Sequence, residues 1–396
     1  MRVLLSTIGS RGDVQPLLAL ALRLKALGHE ARLCVPPDFQ GWISGSGFHV
    51  TPIGPELRSL TAARPAPAVP PSPEVRQRLI AQTLEEQFRV VGEAARGCDL
   101  ILGATALQVA ARSVAEHLGV PYVFAAYCPA VLPSPEHAPL LPSPGSDHTE
   151  RWLEDARRWN EIWGAGLNAH RARLGLPVVD DVRDHILTAH PWLAADPTLA
   201  PWPHPDDGRV VQTGAWVLED NAPLPAELER FLDAGDAPVY FGFGSMSAAP
   251  EGGATLLEAA RALGRRAVIA KGWANLRPAD DATDWISIGD VNHARLFRRV
   301  GAVVHHGGAG TTTAAALAGT PQVIVPQMYD QPYWAARVQQ LGIGTALPGG
   351  TQHSDALSVS LEQTLSSAVV ARAQSVARAM RTDGADVAAR LLVGAS

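Results

Sequence analysis

The chain is poor in cysteine and in positive charge. Its 396 residues include three cysteines, Cys34, Cys98 and Cys128, whose scattered spacing fits neither a metal site nor a redox pair. We interpret them as buried free thiols in a reducing compartment. The formal net charge is −6, which argues against a nucleic-acid-binding protein because such proteins need a basic surface.

Long apolar runs are also missing. No run approaches the roughly 20 residues that a membrane helix requires. The first residues, Met1 to Ser6, resemble a secretory signal only briefly before Arg11 and Asp13 follow. We therefore predict a cytoplasmic protein without membrane insertion. An apolar content of 46% and a charged content of 18% are typical of a folded chain, and the length suits two domains.

The motif Asp-x-Asp does not occur in the sequence. Many enzymes that act on nucleotide sugars hold the diphosphate through a divalent metal ion bound to such carboxylates. We predict no metal site. An anionic ligand would have to be neutralised by a helix N-terminus, backbone N–H groups and histidine instead.

Strand and helix patterns alternate along most of the chain, which predicts an α/β fold. The alternation begins with the strand Val3-Leu4-Leu5 and restarts at Pro238. We predict two Rossmann-like domains with parallel sheets that face each other across a cleft. The predicted divisions are a first domain at 1–200, a linker at 201–222, a second domain at 223–380 and a C-terminal helix end at 381–396.

Proline, glycine and apolar spacing outline three helices near functional segments. A turn at residues 9–13 precedes a first helix that Pro16 opens and Gly28 ends. A second helix is predicted from Arg151 to Leu174. A last helix is predicted over roughly residues 357–392.

A glycine-rich turn near residue 307 carries the main functional signal. Val303-Val304 has the composition of a buried parallel strand, and three glycines follow within residues 307–310, before a stretch compatible with a helix. Glycine lets a ligand approach the backbone, and the first N–H groups of a helix lie unpaired at its positive end. His306 and Thr311 add side-chain donors. We predict a pyrophosphate site; the alternative is a tight turn with a capping threonine.

A second glycine turn, Gly242-Phe243-Gly244-Ser245, follows the strand that begins at Pro238. It lacks the third glycine of a dinucleotide fingerprint, and no acidic residue stands about 20 positions later to bind a ribose. This turn therefore argues against binding of NAD.

Two proline-rich loops lie in the first half, at residues 61–73 and 129–144. Loops of this length are often functional, and they follow strands of a parallel sheet, where ligands bind. We predict that they border an acceptor site; the alternative is solvated connectors. Trp152, Trp159 and Trp163 share nearly one helix face, and we interpret them as packing residues rather than a binding platform.

Three segments resemble the antibiotic glycosyltransferases of actinomycetes. They are Gly9-Ser10-Arg11-Gly12-Asp13-Val14-Gln15-Pro16, His305-His306-Gly307-Gly308-Ala309-Gly310-Thr311-Thr312 and Pro326-Gln327-Met328-Tyr329-Asp330-Gln331-Pro332. These enzymes form the inverting, metal-independent class with two Rossmann domains, called GT-B. The resemblance is closest to the vancomycin-group glycopeptide enzymes. It runs from end to end and is looser over residues 36–150.

The resemblance implies that the first domain binds an acceptor, that the second binds a UDP- or TDP-sugar, and that the last helix returns to the first domain. It places phosphate contacts at His306, Gly310 and Thr311, and sugar contacts at Asp330-Gln331. Ser10 and Ser245 would line the diphosphate, and the backbone at Val291 would face the nucleobase. The predicted donor-binding residues are Ser10, Arg11, Ser245, Val291, His306, Gly308, Gly310, Thr311, Asp330 and Gln331. The nucleotide sugar is a co-substrate, and no cofactor is predicted.

Asp13 matches the residue that activates the acceptor hydroxyl in the bacterial members of this class. Inversion needs a base beside the acceptor, opposite the leaving diphosphate. A free aspartate, with a pKa near ~3.9, is a weak base for an alcohol, and a phenolic acceptor would ease the step. The alternative role of Asp13 is to cap the first helix.

The sequence thus predicts transfer of a sugar to a hydroxyl of a glycopeptide antibiotic aglycone or intermediate. An alternative in the same class uses a macrolide or aromatic polyketide acceptor. A nucleotide-sugar epimerase shares the double fold but would need no acceptor. A binding protein that has lost catalysis is the remaining alternative, although Asp13, His306 and Asp330 are intact.

Overall fold

The computed structural model of the chain describes residues 1–62, 72–105, 107–246, 252–276, 280, 282–348 and 354–394. Within them the chain forms two units, each built on one parallel sheet. The first unit comprises Met1–Pro197, Pro201–Leu218 and the segment from Arg381 onwards. The second comprises Thr198–Ala200 and Glu219–Met380.

The first sheet has seven parallel strands in the order β3-β2-β1-β4-β5-β6-β7. Its strands are β1 Arg2–Thr7, β2 Glu30–Val35, β3 His49–Pro52, β4 Leu100–Ala104, β5 Tyr122–Ala126, β6 Trp192–Leu193 and β7 Val211–Gln212. Its helices are α1 Arg11–Ala26, α2 Gln40–Gly45, α3 Leu57–Ala62, α4 Pro73–Ala94, α5 Ala111–Leu118, α6 His148–Trp159, α7 Ala165–Arg173 and α8 Val182–Leu187.

The second sheet has six parallel strands in the order β10-β9-β8-β11-β12-β13. Its strands are β8 Val239–Gly242, β9 Ala267–Ala270, β10 Trp285–Ile288, β11 Ala302–His305, β12 Gln322–Ile324 and β13 Gly344–Ala346. Its helices are α9 Ala226–Asp233, α10 Gly252–Ala262, α11 His293–Leu296, α12 Ala309–Ala318, α13 Gln331–Gln340, α14 Ser354–Thr364 and α15 Ser367–Ala379. A last helix, α16 Gly384–Gly394, belongs to the first unit.

The central strands are apolar because both sheet faces are covered by helices. Every residue of β4, β8 and β11 is buried, which is the pattern of strands in an α/β protein. In each sheet the strand order reverses once, between β1 and β4 and between β8 and β11. Ligands of such folds bind outside the carboxyl ends of the strands at this reversal. The predicted α/β class with two Rossmann-like sheets is confirmed.

The first helix begins at Arg11, five residues before the predicted start at Pro16. Ser10 and Asp13 supply a reciprocal cap, so the helix starts at once after the Gly9 turn. Pro16 lies inside the helix and removes one backbone hydrogen bond there.

Two other predicted helices are divided. The segment 151–174 consists of α6, a π-helical turn at Asn160–Gly164 and α7. The segment 357–392 consists of α14, α15 and α16 instead of one helix. The last break occurs where Met380, with ψ of 149°, leaves the helical conformation and the Arg381 N–H donates to Asp196 Oδ2 at 2.8 Å.

The segment predicted as the linker, 201–222, is mostly part of the first unit. Residues Pro201–Leu218 belong to that unit and contain β7, which pairs with β6. The Thr213 N–H donates to the Leu193 carbonyl at 3.0 Å. Prolines punctuate this segment, yet its backbone hydrogen bonds make it an edge of the sheet, and the chain enters the second unit at Glu219.

Helix α16 packs against α1 within the first unit. Arg23 Nε lies 3.5 Å from Asp386 Oδ1 across this contact. Gly384, at the start of α16, lies against the backbone of Gly214 and Ala215. Among the described residues, no helix combines the length and apolarity needed to cross a membrane.

We expect Gly384→Ala to destabilise the first unit. A Cβ atom there would lie 2.4 Å from the Ala215 carbonyl oxygen, whereas a Cβ atom on Gly394 would meet no described atom within 4 Å. Because backbone cannot move aside cheaply, Gly384→Ala should cost about 1–3 kcal/mol. Gly394→Ala at the other end of the helix is the matched control. Thermal unfolding measures both, and equal melting temperatures would contradict the close packing of α16.

Candidate functional site

A buried histidine fixes the turn between β11 and α12. His305, the last residue of β11, accepts the Gly307 N–H on Nδ1 at 3.1 Å. Its Nε2 lies 2.9 Å from the carboxamide oxygen of Gln322 on β12, so Nε2 carries the hydrogen. The Gln322 amide donates in turn to the Thr312 carbonyl at 3.3 Å. Burial lowers the pKa of His305 to about 3, which keeps the ring neutral.

The next residue, His306, differs from His305 in its hydrogen bonding. Its Nδ1 is buried and has no hydrogen-bond partner in the part of the chain that the structure describes. Burial lowers the pKa of His306 to about 4. The ring is confined, because a Cβ atom on Gly308 would lie 2.7 Å from Nε2 and one on Gly244 would lie 3.3 Å from Cε1. A buried polar atom without a partner is costly, and a ligand oxygen is one group that could complete it.

Helix α12 begins at Ala309, two glycines after His306. Gly308 is the capping residue, and its carbonyl accepts from the Thr312 N–H at 3.0 Å and from Thr312 Oγ1 at 2.9 Å. The preceding N–H groups, at Ala309, Gly310 and Thr311, have no acceptor within a helix. The positive end of the helix dipole lies at the same place. Backbone donors and His306 Nδ1 together form an arrangement suited to an anion such as a phosphate.

Asp330 and Gln331, which follow β12, have different environments. Asp330 directly precedes α13 without a capping hydrogen bond from its side chain, and its Oδ2 accepts the Trp334 indole N–H at 2.8 Å. Burial raises the pKa of Asp330 above its ordinary value, and the Trp334 bond opposes this. Gln331 is 4% exposed, and its carboxamide oxygen accepts the N–H groups of Gln327 at 2.7 Å and Met328 at 3.0 Å. In this state Gln331 shapes the loop 326–330, and its predicted contact with a sugar stays a prediction.

Two further predicted donor residues lie at the ends of β8 and β10. Ser245 follows Gly244, whose φ of +59° favours glycine. Half-buried Ser245 therefore lies in the turn that packs against His306. Val291 precedes Asn292, whose side-chain amide donates to the Asp220 carbonyl at 2.7 Å. The β8 and β11 turns thus meet at the strand reversal, and Asn292 anchors the loop after β10.

The first unit holds Asp13 in the first turn of α1. Asp13 Oδ2 accepts the Ser10 N–H at 2.6 Å and lies 3.2 Å from Ser10 Oγ. A Cβ atom on Gly9 would lie 2.2 Å from this oxygen, so only glycine leaves room for the carboxylate. Asp13 does have a capping role, although in another form than an N-cap of a helix opened at Pro16: Ser10 is the N-cap of α1, and Asp13 completes the capping box from inside the helix. A carboxylate has acceptor capacity for more than one donor, so capping does not preclude a second role.

A tyrosine that the sequence did not indicate reaches the same turn. The Tyr127 hydroxyl donates to the Asp13 carbonyl at 3.1 Å. Burial, followed by the charge of Asp13, raises the pKa of Tyr127 well above its usual value, so the phenol stays protonated. The Tyr127 ring stands edge-on to Trp216, with centroids 6.0 Å apart. Tyr127 follows β5 and Asp13 follows β1, so only tertiary structure could disclose this contact.

The remaining predictions for the first unit have mixed outcomes. The Arg11 guanidinium lies 4.8 Å from the centroid of the Trp42 ring, so its proposed part in donor binding stays a prediction. Residues 63–71 of the first proline-rich loop lie outside the described residues. The second loop is tied to α6, because the Trp152 indole donates to the His137 carbonyl at 2.8 Å. Trp152 is buried, which agrees with a packing role.

Among the described residues, no group of three or more His, Cys, Asp or Glu side chains could hold a metal ion. The three cysteines are buried and free, as predicted.

Comparisons with known proteins match both halves of the chain. Residues 3–133 match the glycosyltransferase family 28 N-terminal domain, and residues 274–391 match the erythromycin biosynthesis protein CIII-like C-terminal domain. Glycosyltransferase GtfE of Amycolatopsis orientalis is 47% identical over 100% of this chain and 98% of its own length. The vancomycin aglycone glucosyltransferase of the same organism is 46% identical over 100% and 98%. The structure of CalG4, the calicheamicin glycosyltransferase, covers 99% of this chain and 97% of its own, with a TM-score of 0.74 at 20% identity.

We expect the two adjacent histidines to contribute unequally to stability. His305→Phe keeps an aromatic ring but leaves the Gly307 N–H and the Gln322 oxygen unpaired, so it should cost about 2–5 kcal/mol. His306→Phe removes a buried nitrogen that has no partner among the described residues, so it should change the free energy of unfolding by less than about 1 kcal/mol. Urea unfolding at pH 7.5 measures both variants.

The same histidines predict a dependence of stability on pH. Their folded pKa values of about 3 and about 4 lie below the unfolded value near ~6.5, so the unfolded chain takes up protons first on acidification. Stability should fall as the pH drops from about 6.5 towards 4, and each Phe variant should lessen that fall. An unchanged acid profile in both variants would contradict burial of the neutral rings.

Proposed function

Because this chain belongs to the antibiotic glycosyltransferases that include the vancomycin-group glycopeptide enzymes, we propose that it transfers a sugar from a UDP- or TDP-sugar to a hydroxyl of a glycopeptide antibiotic aglycone or intermediate. The transfer inverts the anomeric carbon and needs no metal ion. The observation that carries this proposal is the buried Nδ1 of His306, which has no hydrogen-bond partner among the described residues and lies beside the N-terminus of α12.

The leaving diphosphate is the ligand that this arrangement suits. Its oxygens would accept from the first N–H groups of α12 and from His306 Nδ1, at the positive end of the helix dipole. Because His306 is neutral when empty, an approaching diphosphate would favour a proton on the ring and raise its pKa. Helix and histidine would thus offset charge that builds on the diphosphate as its bond to the sugar breaks.

Asp13 is the base in this proposal. The acceptor oxygen attacks the anomeric carbon from the side opposite the diphosphate, and its proton passes to the Asp13 carboxylate. The bond from carbon to the diphosphate oxygen breaks at the same time, and the nucleoside diphosphate leaves. Ser10 and Gly9 hold the carboxylate in one position, and Tyr127 fixes the backbone that carries it. Positioning of this kind is a large source of rate enhancement.

The proposal needs no metal ion because protein groups would balance the negative charge of the diphosphate. The diphosphate would be met by helix N–H groups and histidine, and the sequence offers no Asp-x-Asp pair for a cation. Asp330, which lies between β12 and α13, is the group proposed to accept hydrogen bonds from the sugar hydroxyls.

The direct experiment is a panel of UDP- and TDP-sugars with glycopeptide aglycones, a macrolide and an aromatic polyketide, read by mass spectrometry. We expect a glycopeptide product that gains one sugar, and NMR of its anomeric centre should show inversion. Excess EDTA should leave the rate unchanged, and loss restored by Mg²⁺ would contradict the proposed charge balance. Conversion of the donor without any acceptor would favour an epimerase instead.

We expect Asp13→Asn and Asp13→Ala to lower kcat by roughly 10²–10⁴-fold, the range for loss of a general base. The asparagine side chain keeps an oxygen that can accept the Ser10 N–H, so Asp13→Asn should unfold at nearly the wild-type temperature. Asp13→Ala loses the cap as well and should be less stable by about 1 kcal/mol. Binding of UDP or TDP should change little in either variant. Near-normal turnover in a folded Asp13→Asn enzyme would remove Asp13 from the mechanism.

A further inference from the structure

The loop between β12 and α13 contains a tyrosine in an unusual conformation. The Gln331 N–H donates to the Met328 carbonyl at 3.3 Å, which closes a turn with Tyr329 and Asp330 at its centre. Tyr329 has a φ of +56°, and Asp330 has φ of −78° and ψ of −8°. These signs are those of a type II′ turn, whose first central position favours glycine. Tyr329 therefore holds a conformation that glycine would adopt at lower energetic cost.

The loop is held in place from two sides. The Gln331 carboxamide oxygen accepts the backbone N–H groups of Gln327 and Met328, and the Trp334 indole donates to Asp330. Trp334 and Gln331 are both buried, at 1% and 4% exposure. The strained turn is thus imposed by buried side chains that a rearrangement would have to unpair.

The strained turn does not bury the Tyr329 side chain. Its side chain is 61% exposed, and the adjacent Met328 is 45% exposed. A strained residue that is rigidly supported and yet exposed is the pattern of a functional position, because packing does not account for the strain. An aromatic ring presented in this way is a preorganised surface for stacking.

We propose that Tyr329 is an acceptor-binding residue contributed by the donor-binding unit, and that its ring stacks on an aromatic ring of the acceptor. This inference rests on the proposed function. The diphosphate would be held after β11, and the sugar would be held by Asp330 after β12. Tyr329 precedes Asp330, and in an inverting reaction the acceptor lies on the side of the sugar away from the diphosphate. The group next to the sugar-binding carboxylate is therefore placed to contact the acceptor.

The test compares Tyr329→Gly, Tyr329→Ala and Tyr329→Phe in the full-length enzyme. Gly and Ala remove the ring, and the acceptor KM should rise roughly tenfold or more, while the donor KM should stay within about twofold. Phe keeps the ring, and its acceptor KM should stay within about threefold of wild type. Tyr329→Gly also relieves the strained backbone, so it should unfold at a higher temperature than Tyr329→Ala.

Thr188→Gly is the matched control, because Thr188 has a comparable φ of +68° in the first unit. It should gain stability without any change of acceptor KM. An unchanged acceptor KM in Tyr329→Ala would overturn the inference, and a rise in donor KM alone would assign Tyr329 to the sugar.

Direct binding separates this inference from the proposed function. Titration of a glycopeptide aglycone into the UDP- or TDP-loaded enzyme measures the affinity for the aglycone. Comparing this affinity between wild type and Tyr329→Ala tests the role of Tyr329 whether or not transfer occurs. Transfer by the wild type with equal aglycone affinity in wild type and Tyr329→Ala would refute only the Tyr329 inference. Weaker aglycone binding in Tyr329→Ala without transfer by the wild type would refute only the proposed function. An aglycone that neither binds nor reacts would refute both.

Discussion

The structure of the proposed donor site depends on the hydrogen bonds of one buried imidazole. His305 accepts from the Gly307 N–H and donates to Gln322 on the next strand, so the glycine turn cannot move without breaking a buried pair. That constraint fixes the direction of His306 and the start of α12. One histidine is thus satisfied by protein, and its neighbour keeps a buried nitrogen for a ligand. Two adjacent residues of the same type thus have separate tasks, because His305 ends β11 while His306 lies in the turn that follows.

The proposed functional groups of both units lie near the point where the strand order of the sheet reverses. In each sheet the strand order reverses between two central strands, and the loops after these strands or their direct neighbours carry the groups to which we assign chemistry. Asp13 follows β1 and Tyr127 follows β5 in the first unit, while Ser245 follows β8 and His306 follows β11 in the second. Close approach is obtained through glycine in both, since Gly9 leaves room for the Asp13 carboxylate and Gly308 leaves room for the His306 ring.

Local signals in the sequence predicted most of the strands and the β11–α12 turn, because strand composition and glycine spacing act over a few residues. The start of α1 was mispredicted at Pro16, since a proline is a strong local signal and the Ser10–Asp13 cap outweighs it. Contacts between distant segments carry no local signal. The Tyr127–Asp13 bond and the inward turn of the Gln331 side chain therefore emerge only from the fold.

The central claim is that His306 Nδ1 binds the diphosphate of the donor. ¹⁵N NMR of histidine-labelled enzyme tests it directly, with His305→Phe and His306→Phe used to assign the two rings. Addition of UDP or TDP should shift the His306 Nδ1 signal strongly and raise the pKa of His306 from about 4, while the His305 signals stay in place. Saturation with a nucleoside diphosphate that leaves the His306 signal unchanged would contradict the account.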